Sequence, residues 1–206
     1  MNDVRDLTPR QLDALKEVAN IGAGHAATAL SQMTNRTIMI RVPRVNVRPL
    51  ESVPELLGPP EQVVAAVLMQ TMGDLSARTL VVFTDDAART LCDLILGRPA
   101  GTTTAFGEME QSGIKEVGNI LVSAYMTALS DFLHMLLIPS VPGLVVDQCG
   151  AVLTTTYLNF GHDRDFVFCV ETAFEVAGAP AALQGHFLLL PDLPSLRAIF
   201  DAIRLP

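Results

Sequence analysis

The sequence predicts an α+β fold: an internally duplicated, pseudo-two-fold domain with two long helices packed on an antiparallel sheet. Three observations lead to this prediction. One residue pattern occurs twice, a long amphipathic segment opens each copy, and the strand-like segments come in pairs joined by short turns. Paired strands with helices at the ends of each copy are typical of a layered α+β structure.

The duplication is visible as short strings that return 99 positions later. EVANI, which begins at Glu17, returns as EVGNI at Glu116, and Pro43 returns as Pro142. A linker rich in Gly, Pro and Thr at residues 97–104 separates the copies. We therefore predict a single domain over the whole chain, made of two repeats that span about 1–100 and 104–206.

The first repeat opens with a helix. Thr8 is a good N-cap and Pro9 suits the first helical position, and the apolar residues that follow recur at helical spacing to about Asn35. Residues 37–47 are rich in β-branched side chains, which favours one strand.

The first repeat closes with a hairpin and a helix. Residues 63–72 and 75–84 are predicted strands joined by a turn at Gly73-Asp74. Asp85 is predicted to cap a short helix that ends at Gly97.

The second repeat follows the same order. A long helix is predicted over residues 108–135, and residues 167–176 and 182–190 form a hairpin with its turn at 178–180. A final helix is predicted over residues 191–203.

Composition excludes several classes of function. The 206 residues include 22 Asp and Glu against 14 Lys and Arg, for a net charge of −8, and half of the chain is hydrophobic. This acidic balance argues against a nucleic-acid partner and against an anionic membrane surface. The apolar stretch at residues 132–146 is interrupted by Pro139 and Pro142, so no spanning helix is expected.

The expected location is the cytoplasm. The first residues lack the apolar segment of a secretory leader. The three cysteines (Cys92, Cys149 and Cys169) are widely spaced and form no CxxC pair, which favours buried, reduced thiols. The histidines show no metal-ligand spacing, so we expect no metal site and no cofactor of the protein's own.

Each long helix carries an acid or a hydroxyl, then a Glu, then an Asn, at spacings of four and three residues. This spacing places the three side chains on one stripe of a helix. We call these stripes the first ridge (Asp13, Glu17, Asn20) and the second ridge (Ser112, Glu116, Asn119).

Three interpretations of the ridges are open. They could be solvated faces of amphipathic helices, or hydrogen-bonded contacts between the two helices at the two-fold axis, or functional sites. The return of the same Glu and Asn favours function, since a solvated face does not require it. An Asn amide can hold a water by donating and accepting at once, and a Glu can bind a partner's Lys. Such residues suit an enzyme that completes the active site of another protein.

A separate run of small residues, GAGHAA from Gly22, lies in the middle of the first helix. Small residues at this position predict close helix packing or a local bend.

The two ridges resemble the motif of the CheC family of chemotaxis phosphatases, which includes CheC, CheX and FliY. That motif is Asp or Ser, three residues, Glu, two residues, Asn, then twenty-two residues and Pro. Both copies in this chain fit it in full, including Pro43 and Pro142, and two copies are similar to CheC itself.

The resemblance implies a phosphatase that hydrolyses the aspartyl phosphate of a CheY-type response regulator, which supplies the divalent metal, Mg²⁺. It implies that Asn20 and Asn119 position the attacking water and that Glu17 and Glu116 pair with a Lys of the regulator. The residues with supporting roles in the motif would be Asp13, Ser112, Pro43 and Pro142.

The resemblance also implies a second partner, the receptor deamidase CheD, at about residues 147–158. The threonine run there leaves helix and strand both open for residues 149–157. A non-catalytic adaptor that binds CheD or the phosphorylated regulator is the alternative function, and an idle duplicated domain is a third.

Overall fold

The computed structural model describes residues 8–42, 44–49, 52–158, 166–177 and 182–203. Each half has the same order of seven elements: a long helix, two short strands, a further helix, two longer strands and a closing helix. The helices are α1 (Pro9–Thr34), α2 (Pro54–Leu57), α3 (Asp85–Ile95), α4 (Glu108–Leu133), α5 (Cys149–Leu158) and α6 (Leu193–Ile203). The strands are β1 (Ile38–Arg41), β2 (Val45–Pro49), β3 (Val63–Gly73), β4 (Ala77–Thr84), β5 (Leu137–Pro139), β6 (Gly143–Gln148), β7 (Phe166–Val176) and β8 (Leu183–Pro191).

The strands of the described residues form one antiparallel sheet in which the two halves exchange their short strands. β4 and β8, one from each half, pair at its centre. β1 and β2 of the first half pair with β7 of the second, and β5 and β6 of the second half pair with β3 of the first. This reciprocal pairing gives the pseudo-two-fold arrangement that the repeat predicts.

Helices cover both faces of the sheet. α1 and α4 pack against each other and, with α3 and α6, bury the larger apolar core on one face. α2 and α5 cover part of the opposite face, where Val152 and Leu153 pack over a second apolar cluster. The three cysteines are buried and unpaired, as predicted.

The long helices have bounds within two residues of the predicted ones. Thr8 and Gln11 form a capping box at the start of α1, with Pro9 at the first helical position. Asn35 ends α1 in the left-handed conformation, with a φ of 51°, and His134 ends α4 in the same way. Gly73 has a φ of 114° in the predicted turn between β3 and β4.

Two predictions of local structure are corrected, and a third is not tested. The single strand at residues 37–47 is two strands, because β1 and β2 pair with separate stretches of β7. Thr84, not Asp85, is the N-cap of α3, since its hydroxyl accepts the Ala87 N–H at 3.3 Å. The turn predicted at residues 178–180 lies outside the described residues.

The structure also adds elements to the prediction. The segment left undecided between helix and strand is the helix α5, and α2, β5 and β6 were not anticipated. No helix of the described residues combines the length and the apolar character needed to cross a membrane.

Candidate functional site

The first ridge lies on the outer surface of α1. The helix turns Leu15, Val18 and further apolar residues toward the core, and this orientation leaves Asp13, Glu17 and Asn20 exposed. The period of 3.6 residues explains the separation, since positions four and three apart share one side of a helix. The structure therefore brings the three predicted residues of this ridge onto one exposed stripe.

The second ridge lies in the same way on α4. Ser112 and Glu116 are exposed and Asn119 is half-buried, while Ile114 and Val117 of the same helix are fully buried in the core. Because α1 and α4 pack side by side in one layer, both ridges belong to the outer surface of that layer.

The ridge side chains that carry the proposed chemistry have no internal partner. None of Glu17, Asn20, Glu116 and Asn119 makes a side-chain hydrogen bond or an ion pair in the part of the chain that the structure describes. The idea that the two ridges bond to each other across the two-fold axis is thus not supported. Their amides and carboxylates are available to a partner molecule.

The start of α4 is fastened to the linker that precedes it. Arg98 donates to Glu110 at 2.5 Å, and this guanidinium lowers the pKa of Glu110. The buried carboxylate of Asp93 accepts the backbone N–H of Thr102 at 3.0 Å and of Thr103 at 2.8 Å, and the Thr103 hydroxyl at 2.7 Å. These contacts fix the first turns of α4, which lead directly into the second ridge.

Asp93 is ionised in this setting. Burial alone would raise its pKa, but the hydrogen bonds from Thr103, Thr102 and Gly101 stabilise the carboxylate, and the pKa lies below its ordinary value. The linker is therefore a fixed part of the structure rather than a loose connection.

Of the two prolines of the pattern, Pro142 is among the residues that the structure describes. Pro142 lies half-buried between β5 and β6. The turn before it is anchored to β3, since the Ser140 N–H donates to the Gln70 carbonyl at 2.7 Å and the Ser140 hydroxyl accepts the Gln70 N–H at 2.9 Å. Pro43 lies outside the described residues.

Other candidate groups remain apart from the ridges. In the described part of the chain, no three His, Cys, Asp or Glu side chains are grouped so that they could hold a metal ion. Burial raises the pKa of the Cys92 thiol to about 11 and that of Cys169 to about 12, so neither is a thiolate at neutral pH.

The sequence prediction missed two positions beside Asn20. Ile21 is 45% exposed, although it is apolar, and Gly24 is exposed one turn beyond Asn20. The available signal was their spacing, since position 24 shares the stripe of position 20 on a helix. The sequence pattern instead predicts close helix packing or a local bend for the run of small residues from Gly22 as a whole.

Fold and ridges define a class of protein: a duplicated α+β domain whose two long helices each carry a Glu and an Asn in the same order on their outer side. The family model described as "CheC-like family" matches residues 11–47 and 109–146, the segments that contain the two ridges and the two prolines. The chain belongs to the CheC-like family.

Relatives and a solved structure agree with this assignment. The chain is 30% identical to "CheY-P phosphatase CheC" of Bacillus subtilis (strain 168), over 98% of both proteins. It is 29% identical to "Putative CheY-P phosphatase CheC1" of Halobacterium salinarum, over 94% of this chain and 96% of that protein. The crystal structure of Thermotoga maritima FliY is similar in fold, with a TM-score of 0.78 at 23% identity over 96% of this chain and 98% of that one.

Proposed function

We propose that this protein is a phosphatase that hydrolyses the aspartyl phosphate of a CheY-type response regulator in chemotaxis signalling. The observation that carries the proposal is the pair of exposed ridges, whose Glu and Asn have no partner among the described residues. The relatives named as CheY-P phosphatases align over nearly the whole chain, which supports the same activity for this protein.

The chemistry requires little beyond positioning. A water oxygen attacks the phosphorus, the bond between phosphorus and the Asp carboxylate oxygen breaks, and the carboxylate leaves as inorganic phosphate forms. The proton of the water passes to solvent or to the released phosphate. An acyl phosphate is already activated, so a group that aligns the water with the breaking bond can supply the acceleration.

Each ridge has the residues for that task. In our proposal the amide of Asn20 or Asn119 holds the water, since an amide donates and accepts hydrogen bonds together. Glu17 or Glu116 pairs with a Lys of the regulator and sets the orientation of the two proteins. The regulator carries Mg²⁺, which neutralises charge on the phosphate, and the phosphatase needs no cofactor of its own.

The test is the lifetime of the phosphate on a CheY-type regulator in the presence of the purified protein and its variants. Asn20→Ala and Asn119→Ala should each lower hydrolysis at their own ridge by about 100-fold, because the water loses its alignment. The double variant should leave the regulator with the phosphate lifetime that it has alone. Separate measurement of the single variants gives the share of each ridge.

Two controls make the result specific. Gln32→Ala removes an exposed amide from α1 outside the ridge and should keep full activity. The thermal unfolding midpoint of the double variant should be no lower than that of the unaltered protein, since both Asn side chains lack internal partners and alanine is the better helix former. A folded double variant that still accelerates phosphate loss would contradict the proposed role of the amides.

A second candidate function, as an adaptor for CheD, is favoured by α5. The segment that the family resemblance associates with CheD is a helix, and Val152 and Leu153 anchor it to the sheet. Ala151, Thr154 and Thr155 remain exposed on its outer side. A short anchored helix with an uncharged outer surface can present itself to a protein partner.

We expect Ala151→Arg with Thr155→Arg to weaken CheD binding at least about tenfold, measured by calorimetry, because the two positions share one face of α5. Phosphatase activity without CheD should stay unchanged. Ala202→Arg, at an exposed position of α6, is the matched control. An unaltered CheD affinity in the double α5 variant would show that CheD binds at another surface.

A further inference from the structure

Close packing within the fold explains two of the glycines in the long helices, because a side chain at either position would clash with a neighbouring element. A Cβ at Gly22 would lie 2.6 Å from Cδ1 of Tyr125, where α1 crosses α4. A Cβ at Gly118 would lie 2.5 Å from a methyl group of Val67, where α4 crosses β3. At both positions a larger residue would push two packed elements apart.

Close packing does not explain the glycine at position 24. A Cβ at this position would meet no atom within 4 Å, and the backbone there is regular helix without a positive φ. Glycine is one of the least favourable residues inside a helix, so an alanine would suit the isolated fold better. What glycine provides at this position is a stretch of bare main chain on the outer surface of α1.

This bare stretch lies beside the reacting end of the first ridge. Gly24 is one turn beyond Asn20 on the same stripe, and the exposed side chain of Ile21 borders it. The hydroxyl of Thr28 donates to the Gly24 carbonyl at 3.0 Å, so that carbonyl is already hydrogen-bonded. Beside Asn20, the surface of α1 therefore has no side chain at position 24 and has the exposed apolar side chain of Ile21.

The short side chain of Asn20 indicates which part of a partner would pack against the surface at Gly24. An Asn side chain is short, so a water that its amide holds lies close to the helix surface. The phosphorylated Asp of the regulator is itself close to its main chain, and that main chain must therefore approach α1 next to Asn20. A side chain at position 24 would stand in this approach.

We propose that Gly24 is a specificity-determining contact of the first ridge, against which the regulator's main chain packs beside its phosphorylated Asp. The inference rests on the proposed function and deepens it. The second ridge differs, because the position equivalent to Gly24 is Ser123 and the one equivalent to Ile21 is Ile120, both half-buried. The two ridges thus present different surfaces to the same class of partner.

The test uses the full chain with Asn119→Ala, so that hydrolysis reports the first ridge. In that background we expect Gly24→Met to lower kcat/KM for the phosphorylated regulator at least about tenfold, mainly through KM, because docking is obstructed. Gly24→Ala should lower it less than Gly24→Met does, while it raises the thermal unfolding midpoint. A merely structural role for Gly24 would lower that midpoint instead.

Gln32→Met adds the same side chain to an exposed position of α1, two turns further on, and is the matched control. Binding of the regulator held in its active form by beryllium fluoride measures the same contact without hydrolysis, and Gly24→Met should weaken it about tenfold. Unchanged binding and KM in Gly24→Met would overturn the inference and leave the phosphatase proposal standing. If the Asn119→Ala protein with Gly24 intact shows neither hydrolysis nor binding, the proposed function of the first ridge is wrong, and the inference fails with it.

Discussion

Asp93 is a charged side chain that the fold buries almost completely, with 2% of its surface exposed. A buried carboxylate is tolerated only where hydrogen bonds replace its lost hydration, and Thr102 and Thr103 supply them from the linker. The same contacts close the linker onto α3 a few residues before α4 begins. One residue thus holds the linker that leads into the helix of the second ridge.

Replacement of this residue should be costly. Asp93→Ala leaves the buried N–H and hydroxyl of Thr103 and the part-buried N–H of Thr102 without their acceptor. We expect a loss of about 3 kcal/mol in the free energy of unfolding. Urea unfolding at neutral pH measures it. Asp131→Ala, an exposed carboxylate on α4, is the control and should change stability by less than about 0.5 kcal/mol.

The contribution of Asp93 should also depend on pH, with a definite sign. The folded-state pKa is lowered, so the ionised group stabilises the protein above its unfolded-state pKa of about 3.9. That stability is lost as the pH falls through the lower folded-state value. The difference in stability between the unaltered protein and Asp93→Asn should therefore shrink in acid, and a difference that grows below about pH 4 would contradict the assignment.

At the scale of elements, signals that lie within a few residues of each other were sufficient for α1. Thr8 and Pro9 start α1 and Asn35 ends it, because caps act through neighbouring backbone groups. The exposure of the ridges followed from the same helical period. These features could be predicted because each depends on residues close together in the chain.

Features that depend on distant residues could not be predicted in this way. The division between β1 and β2 is set by their pairing with β7, more than a hundred residues later. The threonine run of α5 favours a strand by propensity, but Val152 and Leu153 gain more by packing as a helix on the sheet. The support of α4 by Asp93 and the openness of Gly24 likewise depend on contacts, or their absence, in three dimensions.

At the scale of the whole molecule, the halves are interlocked rather than adjacent. Each half gives its two short outer strands to the long strands of the other, and the pair formed by β4 and β8 joins them at the centre. The larger apolar core likewise draws on α1 from one half and α4 from the other. The two ridges therefore keep their relative position only when both halves are folded together.

This interlocking predicts how separated halves behave. Fragments of residues 1–100 and 104–206 should each lack cooperative unfolding, because β3 and β7 would lose their outer neighbours and a face of each long helix would be uncovered. Mixed together they should form a one-to-one complex with native helix content, as measured by circular dichroism and light scattering. A full chain with a protease site between Pro99 and Ala100, both exposed, is the control, since cleavage there should leave the halves associated. A single fragment that unfolds cooperatively as a monomer would show instead that the repeats are two independent domains, and that either ridge could act without the other half.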